Sequence, residues 1–271
     1  MKQLSREELK NVQLDLLKVV DKFCRDNNIK YFLAYGTLIG AIRHKGFIPW
    51  DDDIDLMMKR EDYDKFISLF PHKGTDKNPY YVGAIEIDDN YPYPFAKIQN
   101  CKTAIDEELD YNYDMGCNID LFPIDNMPDD QNKGKRVMKK TLILEKILWV
   151  KALRIIKRRG ILKNAFLAIS HLVLSVIPMK SLLKAINKNA RQYSRINSNT
   201  VGLVTSYMPS MSYHIDKSLF DDAIDVDFEG YQFMAPKEYD KLLRILYGDY
   251  MQLPPEEQRI PKHRLTGYFV E

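Results

Sequence analysis

Apolar residues Leu9, Val12, Leu16, Val19, Val20 and Phe23 recur at helical spacing behind Ser5 and Glu8, an S-x-x-E capping pattern. The spacing predicts an amphipathic helix running to about residue 27. Residues 30–35, "KYFLAY", are aromatic-rich and end at Gly36, which predicts a strand and then a turn. Residues 37–43 can form a short helix, and "HKGFIP" a loop. Residues 53–58 predict a strand. Residues 61–70 predict a helix with Tyr63, Phe66, Ile67 and Phe70 turned inward. Short strands are expected at 80–87, 94–99, 103–107 and 117–122. Helices and strands in this order imply an α+β fold with a mixed sheet.

The pattern changes at Asn132. Helical spacing dominates from there to about Arg195, with breaks near Arg159–Gly160 and at Pro178. "DVDFEGYQFMAP" then predicts a hairpin, "KEYDKLLRILYGDYM" a helix closed by Gly248, and "LPPEEQR" an extended segment. Three parts follow: a core over residues 1–130, a helical segment over 131–215, and a C-terminal segment over 216–271 that packs back on the core.

Composition sharpens this division. The 271 residues are 45% hydrophobic and 29% charged, the mix of a folded globular protein, and the net charge is only +2. The charge is unevenly spread: residues 131–215 hold 17 lysines and arginines against one acid, Glu145. Such a block is either a solvated helix face or a surface for an anionic membrane or polymer. None of the nucleic-acid-binding modules is present, so nucleic acid is not the expected partner. The most apolar window, "AFLAISHLVLSVIP", is interrupted by His171 and is too short to span a bilayer. Cys24, Cys101 and Cys117 are widely spaced with no CxxC, which suits reduced thiols in a cytoplasmic protein. "MKQLSREELK" has no apolar signal core. The expected location is the cytoplasm, with a peripheral position on the inner face of the membrane.

The candidate chemistry lies in "WDDDIDLMM", where Asp51, Asp52, Asp53 and Asp55 put four carboxylates in five positions. In a strand, Asp53 and Asp55 project to one face while Ile54 and Leu56 enter the core. Two carboxylates about 4 Å apart repel by roughly 4 kcal/mol at an effective dielectric near 20. A divalent cation removes that penalty, and all-oxygen ligands suit Mg2+ or Mn2+. Asp120, between Ile119 and Leu121 in "GCNIDLFPID", is the best candidate for a third carboxylate. Acid runs are often solvated loops, but these acids alternate with large apolar residues, which a solvated loop does not need.

The stretch "YGTLIGAIRHKGFIPWDDDID" resembles the LicD family of phosphotransferases, which includes fukutin and fukutin-related protein. "FAKIQNCKT", "GCNIDLFPID" and "LYGDYMQLPPEEQR" are similar to later blocks of its bacterial branch. The resemblance implies a nucleotidyltransferase-like fold. It also implies metal binding and catalysis by Asp53, Asp55 and Asp120, and phosphate contact by Gly36 and Thr37. Asp51 would be an outer ligand or a brace, and Asp52, on the opposite strand parity, the least expected ligand. The implied reaction moves phosphocholine from CDP-choline to a hydroxyl of a cell-envelope glycan, such as teichoic acid or lipopolysaccharide, and releases CMP. Other CDP-activated alcohols, ribitol or glycerol phosphate, are the alternatives, as is plain nucleotidyl transfer from a nucleoside triphosphate. A non-catalytic scaffold would lack an acid of the Asp-x-Asp pair, and both are present.

Among cations, Arg43 and Lys97 are candidates for holding phosphate. Lys97 stands in the otherwise apolar "FAKI". His44 and Lys45 are weaker candidates, and Arg259 and His263 in the tail could fold over the site. A choline headgroup calls for aromatic faces, and Tyr80, Tyr81, Tyr91, Tyr93, Tyr111 and Tyr113 lie between the acidic blocks.

Overall fold

The computed structural model describes residues 1–205, 214–260 and 265–270. It opens with a two-residue strand, β1 (Lys2–Gln3), and helix α1 (Arg6–Asp26), whose Ser5 hydroxyl and Glu8 carboxylate form the expected reciprocal cap. Then come β2 (Phe32–Leu33), α2 (Tyr35–His44), β3 (Asp55–Lys59), α3 (Arg60–Leu69), β4 (Tyr80–Gly83), β5 (Ala96–Asn100), β6 (Thr103–Asp106) and β7 (Cys117–Met127). Three helices follow: α4 (Gln131–Ala152), α5 (Ile161–Leu174) and α6 (Met179–Ala190). The remainder is β8 (Thr200–Gly202), β9 (Ile215–Asp216), the hairpin β10 (Ala223–Phe228) and β11 (Tyr231–Pro236), α7 (Tyr239–Tyr247) and β12 (Thr266–Phe269).

The central sheet runs β2-β3-β7-β5-β4, with β8 and β9 continuing from the far half of β7. Among the described strands of this sheet only the β3–β7 pair is parallel; the other pairs are antiparallel. The fold is therefore α+β and nucleotidyltransferase-like, with a mixed sheet. Tyr31, Phe32, Leu56, Met58, Phe66 and Leu121 lie in its buried core. The three thiols are unpaired, with Cys24 and Cys117 buried and Cys101 exposed.

Three expected boundaries shift, each for a physical reason. The strand expected over 53–58 starts at Asp55, so residues 51–54 are loop, although the Asp120 N–H still donates to the Ile54 carbonyl (2.9 Å). The strand expected over 80–87 ends at Gly83, because the Ile87 and Asp88 amides turn back to the Ala84 carbonyl. The strand expected to end at 122 runs on to Met127 through Pro123. Amides alternate in direction along a strand, and that of Asp120 points at β3. Position 123 therefore points to the opposite edge. There β5 pairs only as far as Leu121 and β8 begins at Asp125, so the missing N–H of Pro123 breaks no ladder bond.

Helix α2 is held close to the loop that follows it. A Cβ on Gly40 would run into the Gly46 carbonyl oxygen and crowd the Ile48 amide at 3.4 Å. This approach sets the loop that delivers the acidic run. Gly40→Ala is expected to destabilise the protein by about 1–3 kcal/mol through overpacking. Equilibrium urea unfolding measures this, and an unchanged midpoint would remove the close approach from the account.

Candidate active site

The two acidic segments meet where the parallel strands adjoin. Asp55 on β3 is the register partner of Asp120 on β7, and Lys97 on β5 is the partner of Asp120 from the other side. Half-buried Asp53 and Asp55 alternate with fully buried Ile54 and Leu56, as the sequence pattern requires. Among the described residues Asp51, Asp52 and Asp53 form a close acidic group, each offering an oxygen within 4.8 Å of the others. Asp55 and Asp120 stand outside that close group. Strand parity governs neither Asp52 nor Asp53, because residues 51–54 precede the regular strand. Asp52 is instead buried, and Gln13 of α1 donates to its carbonyl (3.1 Å) and to that of Asn118 (3.4 Å), which pins the acidic loop to β7.

The electrostatics join the two groups. The Asp55 carboxyl is pushed well above the usual carboxylate range, first by burial and then by the charges of Asp53, Asp120 and Asp51, with Lys97 opposing. Helix α2 supports the same point. The Thr37 hydroxyl accepts from the Asp55 amide (2.9 Å), and a Cβ on Gly36 would strike the Asp51 carboxylate. Gly36 therefore lacks a side chain where Asp51 must sit. Tyr35, just before it, has φ +44°, a strained conformation for an aromatic residue that turns the chain from β2 into α2.

Lys97 is almost wholly buried. Its ammonium donates to Asp120 Oδ1 (2.8 Å), Asn118 Oδ1 (3.1 Å) and Glu107 Oε1 (3.4 Å). Burial works against its charge, but Asp120 and Glu107 outweigh burial and hold its pKa above the ordinary lysine value. Glu107, a residue the sequence reading missed, also accepts from the Tyr93 and Tyr111 hydroxyls. Burial opposes its ionisation too. Lys97 and the two phenols prevail and keep its pKa below the usual range.

The other predicted cations are placed as follows. Arg43 donates to the Tyr250 carbonyl (2.6 Å), the Gln252 carbonyl (3.4 Å) and His44 Nε2 (2.9 Å), so it ties α2 to the C-terminal segment. The His44 pKa is lowered by burial and by Arg43. Lys45 caps α2 in a left-handed conformation. The Arg259 guanidinium lies 5.8 Å from the Trp50 ring, beside the acidic run, while His263 falls outside the described residues. Tyr247, at the end of α7, also escaped the sequence reading. Its phenol is shifted upward by burial and then by Asp55, Asp51 and Asp53, which places it in the field of the acids. No sequence signal separates Tyr247 from the other tyrosines.

A strand–helix turn beside carboxylates on two adjacent strands defines the class: a nucleotidyltransferase-like site. Comparison with known proteins narrows it. The nucleotidyltransferase domain described as LicD/FKTN/FKRP matches residues 28–126, which contain all of these acids. The lipopolysaccharide cholinephosphotransferase LicD of Haemophilus influenzae is 33% identical over 277 positions, covering all of both chains. Two uncharacterized rickettsial proteins share shorter stretches. That of Rickettsia typhi is 45% identical over 56 residues, 21% of this chain and 18% of its own; that of Rickettsia prowazekii is 49% identical over 47 residues, 17% and 18%. The chain belongs to the LicD family and is an enzyme of that type.

Lys97→Met would take the buried ammonium away from the largely shielded Asp120 and Glu107 carboxylates. Breaking a buried pair in this way is expected to destabilise the protein by about 3–5 kcal/mol. Chemical denaturation checks the loss; a cost below 1 kcal/mol would mean that Lys97 does not hold the two carboxylates together.

Proposed function

We propose that this enzyme transfers phosphocholine from CDP-choline to a hydroxyl of a cell-envelope glycan and releases CMP. The observation that carries the reading is the full-length likeness to a lipopolysaccharide cholinephosphotransferase, joined to an acid-lined site on β3 and β7. Lipopolysaccharide is the acceptor the likeness favours, with teichoic acid as the second choice.

The donor set fits a hard divalent cation. The oxygens of Asp51, Asp52 and Asp53 lie within 4.8 Å of one another, and the charges around Asp55 oppose its ionisation unless a cation is added. Asp53, Asp55 and Asp120 are the proposed ligands, with Asp51 and Asp52 adjoining, and Mg2+ or Mn2+ the proposed ion. When bound, it would supply charge neutralisation to the diphosphate.

The chain's own residues do the rest. Gly36 and Thr37, in the first turn of α2, would bring backbone N–H groups to the donor phosphate. Lys97 orients Asp120 at Oδ1, and we assign the acceptor's proton to the Asp120 carboxylate. The acceptor oxygen forms the new bond to phosphorus, and the bond from that phosphorus to the CMP oxygen breaks.

In this reading residues 1–130 are the catalytic core, 131–215 a segment that meets the membrane bearing the acceptor, and 216–271 a closing segment that brings Tyr247 and Arg259 to the site. Among the described residues no single helix is long and apolar enough to cross a membrane; α5 and α6 pass that test only as a pair bent by 80°. Helix α5 nevertheless presents Ile161 and Leu162, each 87% exposed, together with Phe166 and Leu172, and the turn after it adds Val176. Lys157, Arg158, Arg159 and Lys163 flank them. Exposed apolar side chains beside lysines and arginines suit shallow insertion into an anionic bilayer.

Incubation with CDP-choline, CDP-glycerol and CDP-ribitol, with Mg2+ and a glycan acceptor, is expected to release CMP fastest from CDP-choline. Pyrophosphate release from a nucleoside triphosphate would replace this reading with nucleotidyl transfer. Asp53→Ala and Asp55→Ala are each expected to lower turnover on the order of 10²–10³-fold while folding cooperatively. Retained rate in either breaks the site assignment.

Phosphatidylglycerol vesicles in a sedimentation assay are expected to bind the protein, and to release it as salt rises. Phe166→Glu should weaken that binding by about tenfold or more, the worth of one buried apolar side chain. Equal binding by the variant would free α5 from this role.

A further inference from the structure

The only acid in the basic segment is not on its surface. Glu145 on α4 is 2% exposed, and its Oε2 meets no hydrogen-bond partner among the described residues. Desolvation raises its pKa to about 8. Thr205, 1% exposed, presents a hydroxyl that likewise meets no partner among the described residues. Both line one cavity with Tyr93, Phe95, Tyr111 and Trp149. Its free space is about 50 Å³, where one water needs roughly 10–15 Å³.

The aromatic walls are arranged around Tyr93. Its ring centroid lies 5.4 Å from Phe95, 6.0 Å from Tyr111 and 6.4 Å from Trp149, all at inclined angles. Tyr93 already presents its ring to one cation, the Lys97 ammonium at 4.6 Å. That charge does not bar a second cation, because Glu107 and Asp120 both pair with Lys97 and leave the group net negative. The same residues join the cavity to the acidic site. Lys97 touches Asp120 directly, and the Phe95 ring packs on Phe122 (4.4 Å), which packs on Tyr35 (5.4 Å) at the start of α2.

We infer that this cavity is the subsite for the quaternary ammonium of the transferred group, with the Glu145 carboxylate as counter-ion and Tyr93, Phe95, Tyr111 and Trp149 as the enclosing faces. The inference rests on the phosphocholine reading above and names where its headgroup sits. A trimethylated nitrogen donates no hydrogen bond and is held by aromatic faces and a nearby negative charge. A primary ammonium has three donors to satisfy, and among the side chains of the described lining residues only Glu145 and Thr205 offer it buried unpartnered oxygens. The cavity therefore selects choline over ethanolamine.

Binding a cation draws the proton from Glu145. Below pH 8 the affinity for tetramethylammonium should rise by about tenfold per pH unit, and it should level off above. The other ionisable groups at the cavity do not titrate in this window. Glu107 stays ionised and Lys97 charged, while the Tyr93 and Tyr111 phenols are held above their ordinary value.

The experiment uses the full chain and tetramethylammonium, choline, ethanolamine and the uncharged isostere 3,3-dimethylbutanol, titrated by calorimetry between pH 6 and 9. Choline and tetramethylammonium are expected to bind at least tenfold tighter than the other two. Glu145→Gln should abolish both the preference and the pH dependence, and Trp149→Leu, at a partly exposed position, should weaken all four ligands. In parallel, Glu145→Gln should raise KM for CDP-choline tenfold or more. An unchanged KM with CMP still released overturns the subsite and leaves the reaction standing. Tight tetramethylammonium binding without CMP release from any CDP-alcohol overturns the reaction and leaves a cation pocket. Preference for the uncharged isostere overturns the subsite in favour of an apolar ligand.

Discussion

Five aspartates, Asp51, Asp52, Asp53, Asp55 and Asp120, are held together against their own repulsion, and the rest of the structure is arranged around that fact. One close pair costs roughly 4 kcal/mol at an effective dielectric near 20. Ile54, Leu56, Met57 and Met58 are all buried, and each contributes about 1.5–3 kcal/mol. Their burial outweighs one pair but not several. The Lys97 ammonium offsets part of the remainder at Asp120, and in the proposed reaction a divalent cation offsets more. A segment this acidic is kept in the fold by the apolar residues that alternate with it.

β7 is the element through which these forces pass. Its near half carries Asp120, between Asp55 on one side and Lys97 on the other. Its far half carries Asp125, buried and clamped by both nitrogens of the Arg60 fork at 2.7 and 2.8 Å. Burial raises the Asp125 pKa even so, with Arg60 opposing the shift. Two buried ion pairs on one strand fix the position of its carboxylates along the sheet. A misplaced strand would leave four charges unpaired in the interior, and each broken pair costs about 3–5 kcal/mol.

The helical segment is fastened to this core by charge and by packing. Arg191, just after α6, donates to Asp64 on α3 (2.7 and 2.8 Å) and to Glu86 (3.0 Å). Leu148 of α4 and Leu182, Leu183 and Ile186 of α6 form a second apolar cluster with Tyr91 and Tyr93. The same contact leaves the cavity around Glu145. The lone acid of a basic segment thus ends in an apolar interior, whereas the lysines and arginines around it reach solvent. Helix α5 is the exception to good burial, with Leu167 its only buried residue.

The sequence by itself determined the helices, the hairpin and the acidic strand, because local periodicity and caps set them: the Ser5–Glu8 box, the breaks at Gly160 and Pro178, and Gly248 closing α7. It also carried the family, through a long motif whose residues are neighbours in the chain. Tertiary structure alone decided who meets whom. Lys97 reads as a candidate phosphate contact in an apolar strand, and strand register sets it opposite Asp120. Asp52 reads as facing away until the loop that holds it proves not to be strand. Glu107 and Tyr247 carry no local signal and Glu145 shows only as the lone acid of its segment, since their roles come from neighbours far along the chain. Pattern records which face of an element is apolar. Only packing fixes which charges share that interior, because desolvation and pairing act across distances the sequence does not encode locally.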